Sequence, residues 1–226
     1  NKNNLGFAKA NNLAIKISRQ PYVWLLNSDT ETSPNSLEQL FKFMESHPTV
    51  AAVCPSLVYP NGDDQSVGGF FPNFWNVMGY LFPFGYFLPK SLKIKSHRIA
   101  LYPQKLPETG IELDYVTGAA AFLRKSSLEK SGLLGEEYFM YFEETDLCWR
   151  LKKNGWVIMG ISTDPVMHVY GGSFISKRDP KRLRVFLGSL NKFVAKNYPW
   201  HRAFPIILLV SLFGKMSVYL KSIRSL

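Results

Sequence analysis

The run Tyr22-Val23-Trp24-Leu25-Leu26 is apolar and β-rich, and it stops abruptly at the polar residues Asn27-Ser28-Asp29-Thr30. Such a run predicts a strand covered on both faces, as in a parallel sheet. Ser33 and Pro34 then supply an N-cap and a first-turn proline, and Leu37, Leu40, Phe41 and Met44 recur at helical spacing through 34–46. Strand, polar turn and amphipathic helix make half a βαβ unit, so the chain reads as an α/β fold. Open α/β sheets bind ligands at the carboxyl ends of their strands, which makes 27–30 the first place to look for chemistry.

The same periodicities predict a short helix over 8–18, a strand at Val50–Cys54 and a hairpin or loop tip at Pro60-Asn61-Gly62-Asp63. Aromatics, prolines and glycines crowd 70–89 without a clean period, and Lys90, Lys93, Lys95 and Arg98 follow. Residues 70–107 therefore read as an irregular excursion. Regular patterning resumes with a strand over Asp114–Leu123 interrupted at Gly118, a short helix near 126–131, and a helix from Glu143 to Asn154 closed by Gly155. Trp156–Gly160 and Pro165–Val169 read as closing strands. The division expected is an α/β domain over 1–175 and a basic, apolar helical extension over 176–226.

That extension begins with Lys177, Arg178, Lys181, Arg182 and Arg184 around Asp179, continues as a helix over 180–197, and ends in the apolar stretch Ala203–Gly214. The stretch is too short to span a bilayer, which takes about 20 residues. Extended to Leu220 with its basic flanks, it suits an interfacial helix, the alternative being an ordinary helix packed on the sheet. A net charge of +10 draws the chain to polyanions. The aromatics of 70–89 are not interleaved with basic residues as a nucleic-acid stacking groove favours, which leaves an anionic membrane surface or a phosphorylated substrate as the expected polyanion. Cys54 and Cys148 are too few for a disulfide framework and sit in apolar runs, which fits reduced, packed thiols in a cytosol-like compartment. No export signal is read near Asn1.

Four places can carry chemistry. Asp29 can bind Mg²⁺ or Mn²⁺, hard cations often shared with substrate phosphates, or Asn27 and Asp29 can simply shape a turn. Glu143, Glu144 and Asp146 directly follow an aromatic cluster at a helix start. One of them can act as a general base, or all can serve the helix dipole, with Asp146 and Arg150 as an i, i+4 pair. His168, at a strand end, is a metal ligand or a structural imidazole. Gly6 with Asn11 and Asn12 opens the first helix, but no GxGxxG, Walker A, GxSxG or zinc-type spacing occurs.

Taken in order, Asn4-Leu5-Gly6-Phe7-Ala8 with Asn11-Asn12, Leu25–Thr30, Gly118-Ala119-Ala120, Tyr141–Arg150 and His168 resemble family 2 glycosyltransferases of the GT-A (Rossmann-like) fold, in particular the rhamnosyltransferase-like branch. The resemblance covers residues 1–175. It implies an inverting, metal-dependent transferase that moves a sugar, rhamnose being one option, from a nucleotide-diphosphate donor to a polyprenyl-diphosphate-linked or glycan acceptor. Asn27-Ser28-Asp29 stands as the N-x-D form of the family's DxD turn. By resemblance Asp29 and His168 hold the metal, Asn27, Asn12 and Gly118 line the donor cleft, and Glu144 is the base, with Glu143, Asp146 and Arg150 in support. Family members begin with a strand–helix–strand segment that reads the nucleotide base, and this sequence opens after it. The expected enzyme is peripheral on the cytoplasmic membrane face; the alternative is a non-catalytic membrane- or sugar-binding remnant.

Overall fold

The computed structural model describes residues 4–81, 106–107, 109–169 and 180–223. They form two compact units.

The first unit is built on a mixed sheet. Helix α1 (Phe7–Ile17) leads into β1 (Tyr22–Trp24), β2 (Thr30–Glu31), α2 (Pro34–Ser46) and β3 (Val50–Cys54). Strands β4 (Leu57–Val58) and β5 (Asp64–Gln65) form the hairpin expected at 60–63, with Gly62 at a φ of 84° and its N–H donating to the Tyr59 carbonyl. Then come β6 (Gly68–Gly69), β7 (Ile111–Glu112), β8 (Tyr115–Val116) and β9 (Phe122–Arg124), helix α4 (Lys125–Ser131) and helix α5 (Glu143–Lys153), and strands β10 (Val157–Gly160) and β11 (Val166–His168). Helix α3 (Phe74–Leu81) belongs to the second unit.

Among the described residues the main sheet runs β1-β9-β3-β10-β7, with only β3 and β10 parallel. β3 is its centre: all five residues are buried, and the small side chains of Ala51 and Ala52 permit close packing. Val50 and Val53 join Leu40 and Met44 of α2 in one apolar cluster. Ala51, Ala52 and Cys54 join Leu147, Cys148 and Leu151 of α5 in another. Both cysteines are free and buried. Helix α2 starts as its sequence requires, with Ser33 accepting from the Ser36 N–H at 3.2 Å and Pro34 in the first turn. At its other end the Arg124 guanidinium donates to the Met44 and His47 carbonyls, satisfying groups the helix leaves open.

Two strand expectations are corrected. β1 is neither parallel nor fully buried: it pairs antiparallel with β9 at the edge of the described sheet and is half-buried. An apolar run records that a strand is covered, not which neighbour covers it. Asp114–Leu123 is not one strand but two, β8 and β9, in different sheets. Between them the segment around Gly118 departs from both ladders.

The second unit contains α3 (Phe74–Leu81), residues 140–142, α6 (Pro180–Asn197) and α7 (Trp200–Ile223). α3 lies inside the supposed irregular excursion. It is started by a reciprocal cap: Asn73 Oδ1 accepts the Asn76 N–H at 3.0 Å, and Asn76 Oδ1 accepts the Asn73 N–H at 2.7 Å. The Phe142 ring packs at a tilt against Phe186 and Phe193, with centroids 5.3 and 5.5 Å away, and Tyr198 donates to the Pro72 carbonyl. α6 spans the helix expected over 180–197. Ala203, Ile206, Leu209 and Val210 of α7 are buried, whereas Trp200, Phe204, Leu208 and Leu212 on its other face are exposed. The basic residues at 90–98, Lys177 and Arg178, the 171–173 turn, the side chain of Lys215 and the 175/176 boundary lie outside the described residues.

Candidate active site

The turn after β1 is built by backbone before side chains enter. The Leu25 N–H donates to the Ala121 carbonyl at 2.8 Å and the Asn27 N–H to Ala119 at 3.0 Å, extending the ladder past Trp24. Thr30 then closes the turn: its N–H and Oγ1 both donate to the Asn27 carbonyl, at 3.2 and 2.7 Å. In the second sheet, ordered β2-β11-β4-β5, Thr30 pairs with His168 and the Val169 N–H donates to the Asp29 carbonyl.

This register sets two residues far apart in sequence side by side. His168 Nε2 lies 3.4 Å from Asp29 Oδ1, and the Asn27 amide nitrogen is 3.2 Å from the same ring nitrogen. The imidazole is nearly buried, with its residue 4% exposed, while the Asp29 side chain keeps 29% of its surface open. Burial holds His168 below the usual imidazole range, against the opposing pull of Asp29. The neutral ring is the form that ligates a metal. Behind it Gln65 is hydrogen-bonded to the other ring nitrogen, Nδ1, at 3.0 Å.

The second corner is the start of α5. Tyr141 and Phe142 precede it with φ of 66° and 71°, a left-handed conformation that bulky side chains rarely adopt and that clusters at functional sites. Glu143 and Glu144 follow. One carboxylate oxygen of each, Oε2, is buried and has no hydrogen-bond partner among the described residues. Desolvation pushes both carboxyls above the ordinary range, Glu143 further because the Glu144 charge adds to it. Backbone N–H groups of Glu144 and Thr145 partly offset the shift at Glu144.

Gly118 links the corners. A Cβ there would meet the Phe7 ring at 3.2 Å and Glu144 Cβ at 4.0 Å, so the absent side chain lets the backbone run alongside the Glu144 stem. The next residue, Ala119, accepts the Asn27 N–H. Adjacent backbone residues thus touch the Asn27–Asp29 turn on one side and Glu144 on the other.

Asn12, Asp146 and Arg150 are placed differently. Asn12 is buried, and its amide is engaged with the backbone of Leu134 in both directions, at 2.9 and 3.1 Å, and with Glu136. Arg150 donates from Nε to Asp146 at 2.9 Å and from its terminal nitrogens to the Ser131 and Leu133 carbonyls. Tyr138 donates to the other Asp146 oxygen. These residues fasten the 131–138 loop to α1 and α5. Sequence reasoning missed Gln65, which is 103 residues from His168 along the chain, and Tyr138, which reads as one aromatic among several. Only the hairpin signal at 60–63 hinted that Gln65 sits on a strand.

Fold and site define an open-sheet α/β protein with an acidic turn at a strand's carboxyl end and a desolvated carboxylate nearby. The chain belongs to glycosyl transferase family 2, whose sequence profile matches residues 1–132. It is 26% identical over 189 residues to an N-acetylglucosaminyl-diphospho-decaprenol L-rhamnosyltransferase of Mycobacterium tuberculosis, covering 78% of this chain and 59% of that protein. It is 24% identical over 204 residues to the low-salt glycan biosynthesis hexosyltransferase Agl10 of Haloferax volcanii, covering 86% and 58%. The chain thus spans somewhat under three fifths of the length of these curated relatives. Its fold is GT-A: it superposes on GalNAc-T7, crystallised with UDP, GalNAc and Mn²⁺, with a TM-score of 0.55 at 12% identity, covering 95% of this chain and 42% of that one.

Proposed function

We propose that this chain carries the catalytic part of an inverting glycosyltransferase that moves a sugar from a nucleotide-diphosphate donor to a hydroxyl of a lipid-linked or glycan acceptor. The Mycobacterium tuberculosis relative makes rhamnose the first sugar to test and a polyprenyl-diphosphate carrier the first acceptor. The observation that carries the reading is the meeting of Asp29 and His168 at 3.4 Å, joined through Gly118-Ala119 to Glu144.

A carboxylate oxygen and an imidazole nitrogen directed to one spot suit a divalent cation such as Mg²⁺ or Mn²⁺. Among the described residues Asp29 and His168 would hold such an ion, which binds through oxygen ligands commonly shared with substrate phosphates. When bound, the cation offsets charge on the departing diphosphate. Asn27 orients a donor phosphate beside it. Glu144 takes the proton from the acceptor hydroxyl, whose oxygen attacks the anomeric carbon as the diphosphate leaves, giving inversion in one displacement. Desolvation of Glu144 makes the carboxylate a stronger base than an exposed one. Asn12, Asp146 and Arg150 act by holding the loop that frames α5.

Glu144→Gln abolishes transfer, a loss of at least about 100-fold, while donor affinity measured by calorimetry stays near wild type; unchanged turnover overturns the assignment. EDTA abolishes transfer and Mn²⁺ restores it. Because the chain spans only part of its relatives, the second reading is a module that binds sugar or membrane without turnover. Donor binding with no transfer to any acceptor by an otherwise intact chain favours that reading.

The exposed row Trp200, Phe204, Leu208 and Leu212 recurs every fourth residue along α7, and Lys181, Arg184, Lys192, Lys196 and Arg202 are exposed in the same unit. No described helix is long and apolar enough to cross a membrane. An apolar row with basic residues suits peripheral attachment to an anionic bilayer, on the cytoplasmic face where a nucleotide sugar is available.

A further inference from the structure

Gln65 is buried, 5% exposed, and reaches from β5 across β4 to β11, where His168 lies. Its side-chain nitrogen donates twice, to the Val58 carbonyl at 3.2 Å and to the His168 carbonyl at 2.5 Å. Both amide hydrogens are therefore engaged, and the oxygen, Oε1, faces His168 Nδ1 at 3.0 Å. Reversing the amide would set its oxygen against two carbonyl oxygens, which this buried position forbids. An amide oxygen only accepts, so the hydrogen of a neutral His168 ring must sit on Nδ1. Nε2 then carries the lone pair, on the side occupied by Asp29 and Asn27.

We propose that Gln65 is a positioning residue: it locks His168 in the Nδ1–H tautomer, so that Nε2 presents a lone pair beside Asp29 before any ligand arrives. The inference deepens the reading of Asp29 and His168 as a cation-holding pair. A ligating histidine whose other nitrogen donates to a fixed acceptor is held in orientation and made more basic, and loss of that acceptor typically weakens metal affinity 10- to 100-fold. Gln65 does this without bringing a second charge behind the ring.

The test uses the full chain labelled with ¹⁵N-histidine. Long-range ¹⁵N–¹H spectra at pH 8, assigned with His168→Asn, report the tautomer, and Mn²⁺ alone, titrated by EPR, reports affinity. Wild type shows the Nδ1–H pattern without metal. Gln65→Met shifts His168 toward the Nε2–H pattern and weakens Mn²⁺ binding at least tenfold. Should the methionine variant not fold, the wild-type spectra decide alone, since an Nε2–H pattern there contradicts the lock. An Nε2–H pattern in wild type, or wild-type tautomer and affinity in Gln65→Met, overturns the proposal. If His168→Asn leaves Mn²⁺ affinity unchanged, the cation reading fails, while the tautomer result stands or falls on its own spectra.

Discussion

Glu143 and Glu144 are adjacent in sequence yet differ in what surrounds them. Glu143 is nearly sequestered, and its carboxyl is held protonated well above the pH at which an unfolded glutamate ionises, near 4.3. Its folded pKa is raised, so its contribution to stability is complete below the unfolded value of about 4.3 and is lost as pH rises from there through the folded pKa. The slope is at most about 1.4 kcal/mol per pH unit for one group. Glu143→Gln keeps the neutral shape and removes the titration. Urea unfolding at pH 5, 6 and 7 should therefore show a flatter decline for the variant, with the variant relatively more stable at pH 7. Equal slopes in the two proteins would show that Glu143 is not held protonated.

Helix α5 supplies the carboxylates, and the element scale explains why its start is firmly seated. Asp146 has a fully buried side chain and receives Arg150 and Tyr138, while Arg150 also caps the open carbonyls of Ser131 and Leu133. Removing one partner of a buried pair is costly because the remaining charge stays desolvated. Arg150→Met should therefore lower stability by about 3 kcal/mol, read as a drop in Tm. It should also reduce transfer, since the 131–138 loop loses two anchors. A variant with wild-type Tm would show that the clamp is dispensable. The capping chemistry of α2 and the Gly155 stop of α5, at a φ of 83°, were legible in sequence because each depends on residues close by. The cap of α3 was not, because Asn76 stands where a capping box normally has Glu or Gln.

At the scale of the molecule, α7 carries apolar residues on both faces within its own unit, one face packed and the other bearing Trp200 at 71% exposure with Phe204, Leu208 and Leu212. Full-length chain should float with vesicles containing anionic lipid, and should do so less at high salt, where basic side chains are screened. Phe204→Glu and Leu208→Glu each remove about 2 kcal/mol of apolar burial and should each lower the bound fraction severalfold without changing the far-UV spectrum. Equal flotation of both variants and wild type would remove this face from membrane attachment.

From sequence alone came the α/β class, the positions of α1, α2, α4, α5 and α6, the central strand Val50–Cys54, and the candidates Asp29, Glu144 and His168. Each rests on periodicity, a cap, or a short run of residues in characteristic order. Tertiary structure decided which of them meet. The β2–β11 register sets His168 against Asp29, and the β4–β5 hairpin carries Gln65 behind the ring. It also assigned Asn12 to the backbone of a loop, β1 to an antiparallel partner and α3 to the helical unit. The β2–β11 and β4–β11 pairings join residues more than a hundred positions apart, and no local pattern of side chains records which distant strand a backbone will choose.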